Sequence, residues 1–160
     1  MLYAKNATYG TVGFGGQGLG VNRTQLSYPV GIYLDYVSNS LLIANYEADN
    51  VVRWIRYERE WILMAGDING VANSTSTTLR GVTDMIFDPM GNMYVADRDN
   101  HRIQLFMSGE YVGKTIAGVT GVFGINASLF SRPWCVKLDN QLNLYVADAY
   151  NHRVQKFLRY

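Results

Sequence analysis

Short apolar runs separated by turn residues fill this chain, and three such series can be laid over one another. In the clearest, Val82 to Phe87 is largely apolar, Asp88-Pro89-Met90-Gly91-Asn92 is a tight turn, and Met93 to Ala96 is apolar again. Asp97-Arg98-Asp99-Asn100 turns the chain, Arg102 to Phe106 makes a third run, Ser108-Gly109-Glu110 turns once more, and Tyr111 to Ala117 is a fourth run richer in polar and small residues. No segment holds a 3.6-residue apolar period over ten residues, so the pattern predicts a meander of four antiparallel strands and no substantial helix.

The same grammar recurs on either side. Val30 to Leu34, Leu41 to Ala44, Val51 to Ile55 and Trp61 to Ala65 form an earlier set; Trp134 to Leu138, Leu142 to Ala147 and Arg153 to Phe157 form a later one that lacks a fourth run. The text itself repeats: MYVADRDNHRIQLF from Met93 and LYVADAYNHRVQKF from Leu144 agree at nine of fourteen positions. A fainter copy, LLIANYEADNVVRWI from Leu41, has Asn45 where the others have Asp97 and Asp148, and reads as carrying an inserted residue before Asp49-Asn50-Val51. Ala44 to Ala96 is 52 residues and Ala96 to Ala147 is 51, a period that marks a repeat architecture. Tyr9 to Gly13 reads as a spare fourth strand, since Thr11-Val12-Gly13 precedes Leu26 by the same fifteen residues that separate Thr115-Ile116-Ala117 from Phe130.

Asn100-His101-Arg102 and Asn151-His152-Arg153, each preceded by Tyr-Val-Ala-Asp, resemble the NHL repeat family, named for an Asn-His-Leu signature. The first repeat joins them through Pro29, Asp35 and Ala65-Gly66, which match Pro133, Asp139 and Ala117-Gly118. The resemblance covers nearly the whole chain and implies an all-β fold, a β-propeller of four-stranded antiparallel blades. It divides the single region 1–160 into blade 1 at 29–66, blade 2 at 81–118 and blade 3 at 133–160, with 9–13 as the outer strand of the closing blade. Closed propellers have about four to eight blades. Three blades per chain therefore imply half of a six-bladed ring, closed by a homodimer or by further blades of a longer chain. Matched apolar positions, Ile32/Met85/Val136 and Leu34/Phe87/Leu138, are expected to pack blade on blade.

Composition narrows the function. The 160 residues are 48% hydrophobic and 17% charged with a net charge of +1, an ordinary globular balance with no electrostatic pull toward nucleic acid. No apolar run reaches eighteen residues and MLYAKNATYG has no hydrophobic signal region, so no membrane partner is expected. The lone Cys135 excludes an intrachain disulfide and any cysteine-rich zinc site. Four sequons, at Asn6, Asn22, Asn73 and Asn126, fall in predicted loops and lean toward an extracellular setting with N-glycosylation.

Candidate chemistry sorts by whether it repeats. Asp97, Asn100, His101 and Arg102 recur as Asp148, Asn151, His152 and Arg153, and a group needed by every blade reads as structural. The carboxylates are expected to accept turn N–H groups and to pair with the arginines. The glycines Gly13, Gly15 and Gly18 spell a phosphate-loop pattern, but no helix follows and similar glycines recur in the later loops. Function should then sit on residues the repeat does not explain: Trp134, Arg132, Asp84, Arg98, Asp99, Tyr46, Glu47 and Tyr150, at one mouth of the channel, with the aromatic and arginine composition of a protein-binding hot spot. The expected function is a non-enzymatic scaffold for protein or peptide partners, with no cofactor and no metal. RNA binding is an alternative implied by some relatives, disfavoured because acids outnumber the loop-face arginines. A metal-dependent lyase or hydrolase is another, resting on Asp84 as the one acid beside the channel.

Overall fold

The computed structural model describes residues 10–159. Tyr9 and the sequon Asn6 lie outside them, and residues 10–13, expected as a spare strand, have no strand pairing here. Pairing partners are what make a strand, and no uncovered sheet edge lies beside this segment within the chain. It leads instead to Phe14, whose ring packs 5.6 Å from that of Trp54.

Eleven strands form three antiparallel meanders. Blade 1 is β1 (Pro29–Asp35), β2 (Ser40–Asn45), β3 (Asn50–Ile55) and β4 (Ile62–Gly66). Blade 2 is β5 (Val82–Phe87), β6 (Met93–Asp97), β7 (Arg102–Phe106) and β8 (Gly113–Gly118); blade 3 is β9 (Pro133–Leu138), β10 (Leu144–Asp148) and β11 (Arg153–Phe157). The only helical turns among the described residues are single 3-10 turns at Arg98–Asn100 and Ala149–Asn151. The inner strands β1, β5 and β9 lie side by side across the three blades, so the sheets are arranged as wedges of a ring, a partial propeller.

The core lies in the seams between sheets. Each sheet is apolar on both faces, a pattern that only covering on both sides can stabilise. In the first seam Leu42, Ala44 and Val51 of blade 1 meet Met85, Met93, Val95 and Phe106 of blade 2. In the second, Ala96, Ile103 and Ala117 of blade 2 meet Val136, Leu144 and Val146 of blade 3, with Phe130 from the intervening loop. Ile32, expected to pack like its counterparts Met85 and Val136, is exposed instead, because among the described residues no sheet precedes blade 1. Gly31 shows how close the inner strands run: a Cβ there would strike the carbonyl of Thr83 and the Cα of Asp84.

The repeated turn is the same length in all three blades. Asn45 pairs with Asn50 as Asp97 does with Arg102 and Asp148 with Arg153, so the insertion read in the first repeat does not exist. The first repeat differs by substitution: Ala48, Asp49 and Asn50 replace Asn100, His101 and Arg102. Asp49, His101 and His152 share a left-handed backbone, with φ of 52°, 56° and 52°. Asp and His tolerate that conformation better than most residues.

Within each copy the side chains hold the loop that leads into the same blade. Asp97 accepts the Arg80 N–H at 2.7 Å and the Arg102 Nε–H at 2.7 Å; Asp148 accepts Ser131 N–H at 2.7 Å and Arg153 Nε–H at 2.8 Å. Arg102 also donates to the carbonyls of Ser74 and Thr75, and Arg153 to those of Ile125 and Asn126. Blade 1 substitutes a neutral pair, Asn45 Nδ2 to Asn50 Oδ1 at 3.0 Å. Removing one member of a buried ion pair costs about 3–5 kcal/mol, whereas losing a neutral hydrogen bond costs about 1 kcal/mol. Chemical denaturation should therefore show Asp97→Ala far more destabilised than Asn45→Ala; equal losses would mean that the ion pair does not anchor the blade.

Candidate functional site

One end of the inner strands gathers the non-repeating aromatic and basic side chains, because the turn joining the second and third strands of each blade and the loop leading into the next both end there. Tyr46 comes from the turn of blade 1, Arg98 and Asp99 from that of blade 2, Tyr150 from that of blade 3, and Arg132 and Trp134 from the start of blade 3. The Arg98 guanidinium is the hub. Its carbon lies 5.0 Å from the Trp134 ring centre, 5.5 Å from that of Tyr46 and 5.7 Å from that of Tyr150. Its Nη1 donates to Asp99 Oδ1 at 2.6 Å and to Tyr46 Oη at 2.9 Å. Cation–π contacts of this kind hold flat rings around a charge that is itself largely withdrawn from water.

Arg132 extends the cluster outward, lying 4.9 Å over the Tyr150 ring and 3.7 Å from Asp99. Its hydrogen bond, and then its charge, hold the Tyr150 phenol below its ordinary pKa. Burial, and then the charge of Asp99, push the Tyr46 phenol up. Arg98 is buried while Trp134 is 41% exposed and Tyr150 more so, giving a platform of ring faces backed by a fixed cation.

Two of the sequence candidates stand apart. Asp84 is buried in the second seam, where it accepts the Lys137 Nζ–H at 2.7 Å and the Val136 N–H at 3.1 Å. Glu47 reaches back to Ser27 Oγ at 3.4 Å. Two residues belong to this face although the sequence did not single them out for it. Tyr28, with φ of 49°, packs its ring 6.0 Å from Tyr46. His101 crosses to blade 3, its Nδ1 accepting the Arg132 N–H at 3.1 Å. The signal for both was register: Tyr28, Gly81 and Arg132 occupy one repeat position, and Asp49 accepts the Gly81 N–H as His101 accepts that of Arg132. Beside this cluster, Asn73, Arg80, Asn100, His101 and Gly121 line a polar cleft of about 500 Å³.

No group of three or more His, Cys, Asp or Glu with metal-site geometry occurs among the described residues. Burial, and then the nearby Asp84 charge, raise the Cys135 thiol above its usual pKa, the reverse of what an activated nucleophile needs. The sequon residues Asn22, Asn73 and Asn126 are exposed in the loops leading into the blades. No described helix is long and apolar enough to cross a membrane.

Sheet topology and seams define the class, a three-bladed portion of a β-propeller. The NHL repeat family model matches residues 130–157, the third repeat, and the other two repeats share its turn geometry. No curated protein matches. Among solved structures, an auxiliary nutrient binding protein from Bacteroides ovatus aligns over 78% of this chain and 36% of its own, with TM-score 0.62 and 18% identity. A protein of unknown function from Bacteroides thetaiotaomicron aligns over 80% and 34%, with TM-score 0.68 and 16% identity. A streptogramin B lyase aligns over 82% and 38%, with TM-score 0.58 and 10% identity. The chain thus matches little more than a third of each of these structures, and at these identities the likeness is one of fold.

His101 supplies a pH test of the staple to Arg132. Burial, and then the Arg132 charge, hold its pKa below the ordinary value near 6.5. A histidine whose folded pKa is depressed contributes stability that is full above the unfolded value and lost as pH falls through the folded one. Thermal unfolding of wild type should thus lose stability relative to His101→Gln as pH drops below about 6.5; parallel pH profiles would contradict the staple.

Proposed function

We propose that this chain is a non-catalytic binding scaffold whose Tyr46–Arg98–Trp134–Tyr150 face receives a protein or peptide. The observation that carries the reading is the convergence of three aromatic rings, Tyr46 of blade 1 with Trp134 and Tyr150 of blade 3, on one buried arginine from the turn of blade 2. Aromatic and arginine side chains held rigid before binding lose little freedom on contact, and such residues dominate measured interface energies. The description of two of the similar structures as nutrient binding proteins accords with a binding role.

The charges of this face argue for a peptide over a nucleic acid. Arg98 and Arg132 share Asp99, so half of their positive charge is balanced within the cluster. A catalytic reading has less to stand on, since Asp84 is engaged by Lys137 and a backbone N–H.

A phage-displayed random peptide library panned on the purified chain tests the reading. Selected peptides should lose about tenfold or more in affinity on Trp134→Ala and Tyr150→Ala, with melting temperature unchanged. Failure to enrich any sequence, or enrichment of peptides indifferent to both substitutions, would overturn it. Steeply salt-dependent binding of single-stranded RNA lost in Arg98→Ala would favour the nucleic-acid alternative instead.

A further inference from the structure

Two sheet faces of this chain are built like buried ones and, among the described residues, are at most partly covered: on blade 1, Phe14 and Leu26 pack over Ile43, Val52, Trp54 and Trp61 but leave Ile32 open. Ile32 is 69% exposed where its counterparts Met85 and Val136 are 1% and 0% exposed. Val154 is 69% exposed on the opposite side of blade 3, where Val51 and Ile103 are 0% exposed. The first of these is a face that meets the sheet before it, and the second a face that meets the sheet after it. They are the two halves of one seam. An open cleft of about 610 Å³ beside Phe14, Leu34 and Leu41 marks the unfilled side of blade 1.

The hydrogen-bonding halves are separated in the same way. Each internal seam carries one staple, from the left-handed residue of one blade to the N–H of the left-handed residue leading into the next: Asp49 to Gly81, and His101 to Arg132 at 3.1 Å. His152 and Tyr28 hold the corresponding conformations, with φ of 52° and 49°, at the two ends of the series. Among the described residues, neither the His152 side chain nor the Tyr28 N–H has a hydrogen-bond partner within the chain.

We propose that a second copy of this chain fills both ends, blade 3 of each protomer packing against blade 1 of the other through the same seam, with His152 stapled to the N–H of Tyr28 of the partner subunit. The occupant is argued from continuity: the exposed positions are those that the internal seams bury, and their order along the chain allows only head-to-tail pairing. Three blades from each of two copies close at six, within the range of about four to eight that propellers adopt, whereas three copies would exceed it. The new seam would also set Tyr28 of the partner subunit beside Tyr150, as Arg132 sits now beside Asp99, and so complete the aromatic face at the joint. The inference rests on the fold and stands or falls separately from peptide binding.

Light scattering on the purified chain tests it directly. The expected mass is twice the 18.0 kDa of one chain at micromolar concentration. Ile32→Asp and Val154→Asp should each return it to one chain with its circular dichroism retained, since both side chains are exposed in the single chain. Val37→Asp, in an exposed turn away from both faces, should leave the dimer intact. His152→Leu should weaken association about twenty-five-fold through two lost staples of about fivefold each, and His152→Asp should restore it, as Asp49 does this work in the first seam. A folded single chain, a mass of three or more chains, or a dimer indifferent to Ile32→Asp and Val154→Asp would each overturn the proposal.

Discussion

A four-stranded sheet with apolar side chains on both faces cannot be satisfied by its own residues, and that constraint governs the molecule. Each blade borrows its second wall from a neighbour, so the stabilising contacts run between repeats more than within them. Met85 and Val95 are core residues only because Leu42, Ala44 and Val51 lie opposite. Hydrogen bonds follow the same rule: the buried aspartates Asp97 and Asp148 tie a blade to the loop that brings the chain into it, and the left-handed Asp49 and His101 tie that blade to the next.

This division explains which residues are left for recognition. The Asn-His-Arg triplets are consumed by architecture, with Asn100 and Arg102 holding carbonyls of the preceding loop and His101 spanning the seam. What remains at the same end of the strands is the set of side chains that differ from blade to blade. Their variety lets turns of one common geometry deliver Tyr46, Arg98 and Tyr150 to a shared spot. A rigid ring of seams thereby presents an irregular, prearranged surface.

Much of the fold was legible in the sequence because the constraint repeats. Nine identities in fourteen residues, and periods of 52 and 51, set the strand meander and the blade spacing before any coordinates. The first repeat was misread as carrying an insertion because Asp49-Asn50 mimics the Asp99-Asn100 of the second while standing two positions further on; backbone pairing of Asn45 with Asn50 removes the ambiguity. Most of the candidate cluster was legible from its failure to repeat. Asp84 was read from the sequence as an acid beside the channel, but its partners were not legible there: Lys137 Nζ and the Val136 N–H of the neighbouring blade engage its carboxylate. Tyr28 was overlooked because its contribution depends on a left-handed backbone that no residue type announces.

The central claim is that covering by a neighbouring sheet makes each blade face stable, and the proposed second copy extends it to the two faces that one chain leaves exposed. Methyl-resolved NMR with a soluble paramagnetic probe measures this most directly, by comparing side chains at matched positions. The methyls of Ile32 and Val154 should be as shielded from the probe as those of Met85 and Ile103, while Val37, 99% exposed in a turn, is broadened. If Ile32 and Val154 broaden as Val37 does in the folded protein, blades of this chain stand uncovered, and the account fails at its foundation.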